Sequence, residues 1–114
     1  MAVTTAAKNY GLDGILQATL TVSLHTADPG LNGVNEVTGG GYSRAAIMFA
    51  AAANAQSANS NAALFTNLPA CTVTHVGLWR GSTFLFGASL TQAKTVTAGD
   101  GLVLNASTWV VQMS

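Results

Sequence analysis

Two histidines and four acids lead the side chains in this sequence whose chemistry could support acid–base work or metal binding. The acids are Asp13, Asp28, Glu36 and Asp100, and the histidines are His25 and His75. His25 and Asp28 form an HxxD cluster, and with His75 they would make a three-ligand metal site. The competing expectation is stronger. A single His or Asp beside a turn commonly bonds backbone groups, and His25 ends a polar strand face next to Asp28-Pro29-Gly30. Serines are plentiful, but no GxSxG elbow is present to raise a nucleophile. Paired carboxylates for glycoside cleavage would need two of four scattered acids to converge. Gly39-Gly40-Gly41 is followed by neither GK[ST] nor a GxGxxG context, so it is no phosphate loop. The sequence therefore predicts no enzyme, no cofactor and no metal centre.

The elements around these residues read as β structure. In Thr19 to His25, Leu20, Val22 and Leu24 alternate with Thr21, Ser23 and His25, the period of a half-buried strand with a polar outer face. Tyr42 to Phe49, Ala63 to Leu68, Cys71 to Arg80 and Ser82 to Leu90 read as further strands, with a tight hairpin at Gly81. Lys94 to Ala98, Gly101 to Ala106 and Thr108 to Met113 complete about eight. Phe84 and Phe86 are expected on one face of their strand and Leu85 on the other. Residues 50–63, rich in Ala, Asn and Ser, offer no large apolar residue to dock a helix and read as an extended connection. Lys8 to Gln17 reads as a short helix or turn despite Gly11 and Gly14. Turn signals every eight to twelve residues predict an all-β domain spanning 1–114, an antiparallel β-sandwich or jelly-roll-like fold with a short N-terminal helix or turn.

Charge is the unusual quantity. Only 7% of the 114 residues are Asp, Glu, Lys or Arg and the net charge is zero, against roughly 25% charged residues in an ordinary soluble protein. A surface of Ala, Ser, Thr, Asn and Gly is cheaper to bury against a partner than a charged one, which favours a chain covered by neighbours in an assembly. The four cations, Lys8, Arg44, Arg80 and Lys94, are scattered, so nucleic acid is not an expected partner. No apolar run approaches the roughly 20 residues of a membrane helix, and the N-terminus lacks the pattern of a signal peptide. The lone Cys71 reads as a small buried hydrophobe.

A longer pattern joins these pieces. A strand ending in LHT leads to a DPG turn (Asp28, Pro29, Gly30). NEV with Glu36 follows, then GGGYxR with Gly39, Gly40, Gly41, Tyr42 and Arg44, then a strand ending at Phe49. Asn59-Ser60-Asn61 with Phe65, THVGLW with His75 and Trp79, and AGDGLVL continue the order. This resembles a family of short bacteriophage tail-fibre-like proteins. The resemblance implies a structural role on the surface of the phage particle, assembled in the host cytoplasm, with no catalytic residues to carry over. Glu36 and Arg44 flank the glycine bend and are expected to pair and lock it, or Arg44 to reach a neighbouring subunit. Low charge and this resemblance together favour a capsid decoration or cement protein, a homotrimer or other cyclic oligomer bound to a major capsid protein. The alternatives are a tail-fibre or baseplate attachment protein bound to a tail protein, and a carbohydrate-binding module meeting host-surface glycans through Trp79 or Trp109.

Overall fold

The computed structural model describes residues 4–17, 19–105 and 110–112. The chain runs through helix α1 (Thr5–Leu16) and strands β1 (Leu20–His25), β2 (Ala45–Ile47), β3 (Gln56–Ala58), β4 (Ala63–Phe65), β5 (Cys71–Arg80), β6 (Thr83–Val96), β7 (Leu102–Leu104) and β8 (Val110–Gln112). The main sheet is antiparallel in the order β2-β1-β5-β6, and two ribbons, β3-β8 and β4-β7, accompany it. The fold is all-β and sandwich-like, with one N-terminal helix.

Period-two patterning builds the core. Leu20, Val22 and Leu24 of β1 share a face with Val76 and Leu78 of β5, because Val22 lies opposite Leu78 and Leu24 opposite Val76. Leu12 and Leu16 of α1, Ala63 and Phe65 of β4, and Leu102 of β7 cover that face. In the β4-β7 ribbon alternation holds: Ala63 and Phe65 point inward while Leu64 stays exposed. Burying each large aliphatic side chain contributes about 1.5–3 kcal/mol, and this cluster supplies most of the drive to fold.

The helix begins where Thr4 Oγ1 accepts the Ala7 N–H at 3.1 Å, a side-chain N-cap. Its polar side chains then fasten the Ala/Asn-rich segment. Asp13 Oδ1 accepts from Ala52 N, and Asn9 Oδ1 accepts from Ala55 N, both at 2.8 Å. The segment 50–63 is therefore not the plain extended connection expected. It contains β3, entered by a two-residue turn in which Asn54 and Ala55 both take positive φ and Ala53 and Gln56 exchange backbone hydrogen bonds.

Three other expectations change. The strand over Tyr42 to Phe49 contracts to Ala45–Ile47. The reason lies at Leu24: its N–H donates to the Tyr42 hydroxyl at 3.0 Å and its carbonyl accepts from Val37 N at 2.9 Å. Residues 35–37 and a side chain thus occupy the edge of β1 that more β2 backbone would have used. Next, the strands expected at Ser82 to Leu90 and Lys94 to Ala98 fuse into the 14-residue β6, whose register against β5 slips between Val73/His75 and again between Leu78/Trp79. The second slip also separates Phe84 from Phe86. Phe86 lies opposite Leu78 on the core side, whereas Phe84 lies opposite Trp79 on the other face; a bulge breaks simple alternation. Finally, Cys71 is only half-buried, packed against the core. Of the last expected strand, Val110–Gln112 forms β8, while Trp109 lies outside the described residues.

Candidate functional site

The second face of the main sheet holds the motif residues. Thr21, Ser23 and His25 of β1 lie opposite Trp79, Gly77 and His75 of β5. This face was expected to meet solvent, yet Ser23 and His25 are both fully buried. The loop over residues 26–44 folds back across it. Burial without partners would cost several kcal/mol for such groups, and a continuous hydrogen-bond chain satisfies them. Val34 O can only accept, so His25 Nδ1 carries the proton it donates there at 2.7 Å. His25 Nε2 then accepts from the Ser23 hydroxyl at 2.6 Å. Ser23 Oγ in turn accepts the Trp79 indole N–H at 2.8 Å.

Burial pushes the His25 imidazole below its ordinary pKa, only partly opposed by its bond to Val34 and the charge of Glu36. The ring is therefore neutral at pH 7. Ser23 and His25 have the spacing of a nucleophile and its base, but neither is exposed to a substrate, and the far side of the ring holds a backbone carbonyl. The pair braces the loop.

An ionic cluster lies alongside. Arg44 grips Glu36 with two bonds, Nε to Oε2 and Nη2 to Oε1, each 2.9 Å. The Tyr42 hydroxyl donates to Glu36 Oε2 at 2.6 Å while accepting from Leu24 N. Burial alone would raise the Glu36 carboxyl, but the bonds from Arg44 and Tyr42 outweigh it and hold its pKa below the ordinary value. Tyr42 is pushed well above the ordinary phenol range, by burial first and by its bond to Glu36 second. The Arg44 guanidinium lies 3.6 Å from the Trp79 ring centroid, a cation–π contact worth about 0.5–2 kcal/mol. Phe84 meets the same indole edge-on at 5.1 Å between centroids.

The glycines of the motif explain themselves through close approach. A Cβ on Gly33, whose φ is +74°, would lie 2.6 Å from the Trp79 ring, and one on Gly77 would collide with Ser23, His25 and Phe84 together. Gly41 N donates to Asn67 O at 2.7 Å, and a Cβ on Gly40 would meet the backbone of Asn67 to Pro69. Gly39-Gly40-Gly41 thus packs against the chain's own segment 67–69.

His25, Glu36, Tyr42, Arg44 and Trp79 therefore converge, and the expected Glu36–Arg44 pair forms across the bend. Pro29 is buried beneath the loop, close enough to Gly87 that a Cβ there would lie 2.3 Å from its ring. Asp28 Oδ1 accepts from Gly30 N at 2.8 Å, closing the turn. His75 stands across from His25 but bonds Thr74 Oγ1 at 2.8 Å. The HxxD residues point to separate backbone tasks, and among the described residues no group of three His, Cys, Asp or Glu is placed to hold a metal. Trp79 is 9% exposed, with its face under Arg44, so it is not the stacking platform a glycan would need. Ser23, Gly77, Gly33 and Phe84 belong to the cluster and were missed. The available signal for Ser23 was its place two residues before His25, on the same strand face.

These features define an all-β structural module with a stiffened loop laid over one sheet face. The chain belongs to the family described as Podophage GP4 fiber I protein gp80, which it matches over residues 15–112. It is accordingly a structural protein of the bacteriophage particle. No curated protein matches the chain.

Proposed function

We propose that the chain is a subunit of the phage tail fibre, or of the collar that attaches one. The family match over residues 15–112 carries this reading, because that family is described by a fibre protein. The same description favours the fibre over capsid decoration. The chain does no bond-making of its own: Ser23 and His25, which have the spacing of a nucleophile and its base, are spent on each other and on Val34. Its work is to present a rigid surface to copies of itself and to a neighbouring tail protein through broad, weakly charged contact. Each 100 Å² of apolar area buried there contributes on the order of 2.5 kcal/mol before association costs.

Copy number per particle tests the placement. Gel densitometry of purified particles, calibrated on the major capsid protein, should give a few copies, and gold-labelled antibody should mark one vertex. A count matching the capsid lattice, with label over the whole head, would restore the decoration reading.

A further inference from the structure

Two surface features are left open among the described residues. The first is the tip of the loop after β1. Leu31 is 93% exposed and Val34 52%, yet the turn beneath them is tightly held. Pro29 O accepts from both Gly33 N and Val34 N at 3.0 and 3.1 Å, Asn35 Nδ2 donates to Asp28 O at 3.0 Å, and the Pro29 ring is buried. An apolar side chain on a preorganised tip loses little entropy when it docks.

The second is a cleft of about 360 Å³ where the outer strand β6 faces β7. Val76, Ala88, Leu90, Val103 and Leu104 supply its apolar lining, and Val103 continues onto the exposed outer face of the β4-β7 ribbon beside Leu64. A cavity of roughly 150 Å³ already holds a benzene ring, so this cleft has room for a leucine side chain with part of its loop.

Charge matches the two. Among the described residues the stretch 28–34 carries one charged group, Asp28, and the cleft lining carries one, Lys94. They are opposite in sign. We infer that the Leu31 tip of one copy docks in the β6–β7 cleft of the next, with Asp28 facing Lys94 across the rim. Knob and hole are different surfaces, so the contact is heterologous, and repeating it gives a closed ring or a head-to-tail stack. This deepens the self-association in the function proposed above and rests on it.

Sedimentation velocity over a dilution series of the full chain and its variants tests the contact. The unaltered chain should associate. Leu31→Asp, at a site too exposed to affect folding, should raise Kd about thirtyfold, the loss expected for one buried leucine. Val103→Asp in the cleft should act in the same direction. Asp28→Asn, which keeps a side-chain acceptor for Gly30 N, and Lys94→Gln should each weaken association by about threefold, the scale of an exposed ion pair, and the double variant should associate no more weakly than either single one. If the chain associates but Leu31→Asp and Val103→Asp leave Kd unchanged, or the losses from Asp28→Asn and Lys94→Gln add in the double variant, this contact is wrong while self-association stands. If the chain is monomeric at every concentration, self-association fails and the contact fails with it.

Discussion

Gly77→Ala is the sharpest perturbation of the buried network. A methyl at that position would lie 2.7 Å from Ser23 Oγ, 2.8 Å from His25 Nε2 and 2.8 Å from Phe84 Cε1. None of the three can retreat cheaply. Ser23 is held by Trp79, His25 by Val34 O, and Phe84 by its edge contact with the indole. Overpacking a well-filled interior costs about 1–3 kcal/mol. Displacing Ser23 or His25 would also leave a buried polar atom unpaired, at about 1–3 kcal/mol. Against this, alanine stiffens the unfolded chain and returns about 0.4–1 kcal/mol. The net expectation is a loss of about 2–4 kcal/mol, a large fraction of the 5–15 kcal/mol typical of a folded domain. Urea unfolding followed by circular dichroism at fixed protomer concentration should show a lower midpoint with the slope preserved. Gly14→Ala is the control. That residue lies in α1 with open space around its Cα, so alanine should stabilise by about 0.5–1 kcal/mol. If Gly77→Ala is as stable as the unaltered chain, Ser23, His25 and Phe84 are not packed around Gly77 as described.

Stability should depend on pH at both ends of the range. Below His25's ordinary value of 6.5 the unfolded chain takes up a proton that the folded chain refuses, so the urea midpoint should fall as pH drops through that value, and His25→Asn should flatten this limb. Below the ordinary 4.5 of Glu36 the carboxylate's contribution should be lost as well, since its folded pKa is depressed. Above pH 10 the unfolded chain releases the Tyr42 proton that the folded chain retains, so stability should fall again and Tyr42→Phe should remove that alkaline limb. Arg44→Lys keeps the charge but loses the two-point grip on Glu36 and the flat contact with Trp79; about 1 kcal/mol of stability should go, and Trp79 emission should shift in a Trp109→Phe background.

The sequence made the strands easier to read than the site. Cys71–Arg80 was legible to the residue, because a dense run of β-formers ends at Gly81, which takes φ +61° in the hairpin. The inward set Leu20, Val22 and Leu24 followed from spacing alone, whereas α1 was legible only as a short helix or turn over Lys8 to Gln17 and in fact starts at Thr5. The outward set of β1 did not. Thr21, Ser23 and His25 look like a solvated face, and only the return of residues 26–44 over that face makes it an interior. A backward fold of that kind leaves no periodic trace. The pairing of Glu36 with Arg44 was legible because both flank the glycine bend. Tyr42 as a hydrogen-bond partner of β1 was not, since a side-chain hydroxyl replacing a backbone acceptor has no sequence signature. The split of Phe84 from Phe86 was hidden for a related reason: a bulge changes which residues face inward without changing composition.

The scarcity of charge and the buried polar network are two sides of one design. With 7% ionisable acids and bases, the chain has few groups to spend, and it places two of its eight, Glu36 and Arg44, where they fix a loop on a sheet. An isolated exposed ion pair would contribute about 0–1 kcal/mol, too little to order the loop over 26–44. Here the pair is shielded by the Trp79 ring, joined to Tyr42 and through it to the backbone of β1. It therefore acts on the register of the loop, holding Pro29 against Gly87 and Leu31 outward. Arg44→Met tests this coupling: amide hydrogen exchange should quicken at Gly33 and Val34, whose N–H groups both bond Pro29 O, while exchange in the centre of β5 stays slow. Uniform quickening through β5 would mean that the ion pair supports the whole sheet and that the loop has no separate latch.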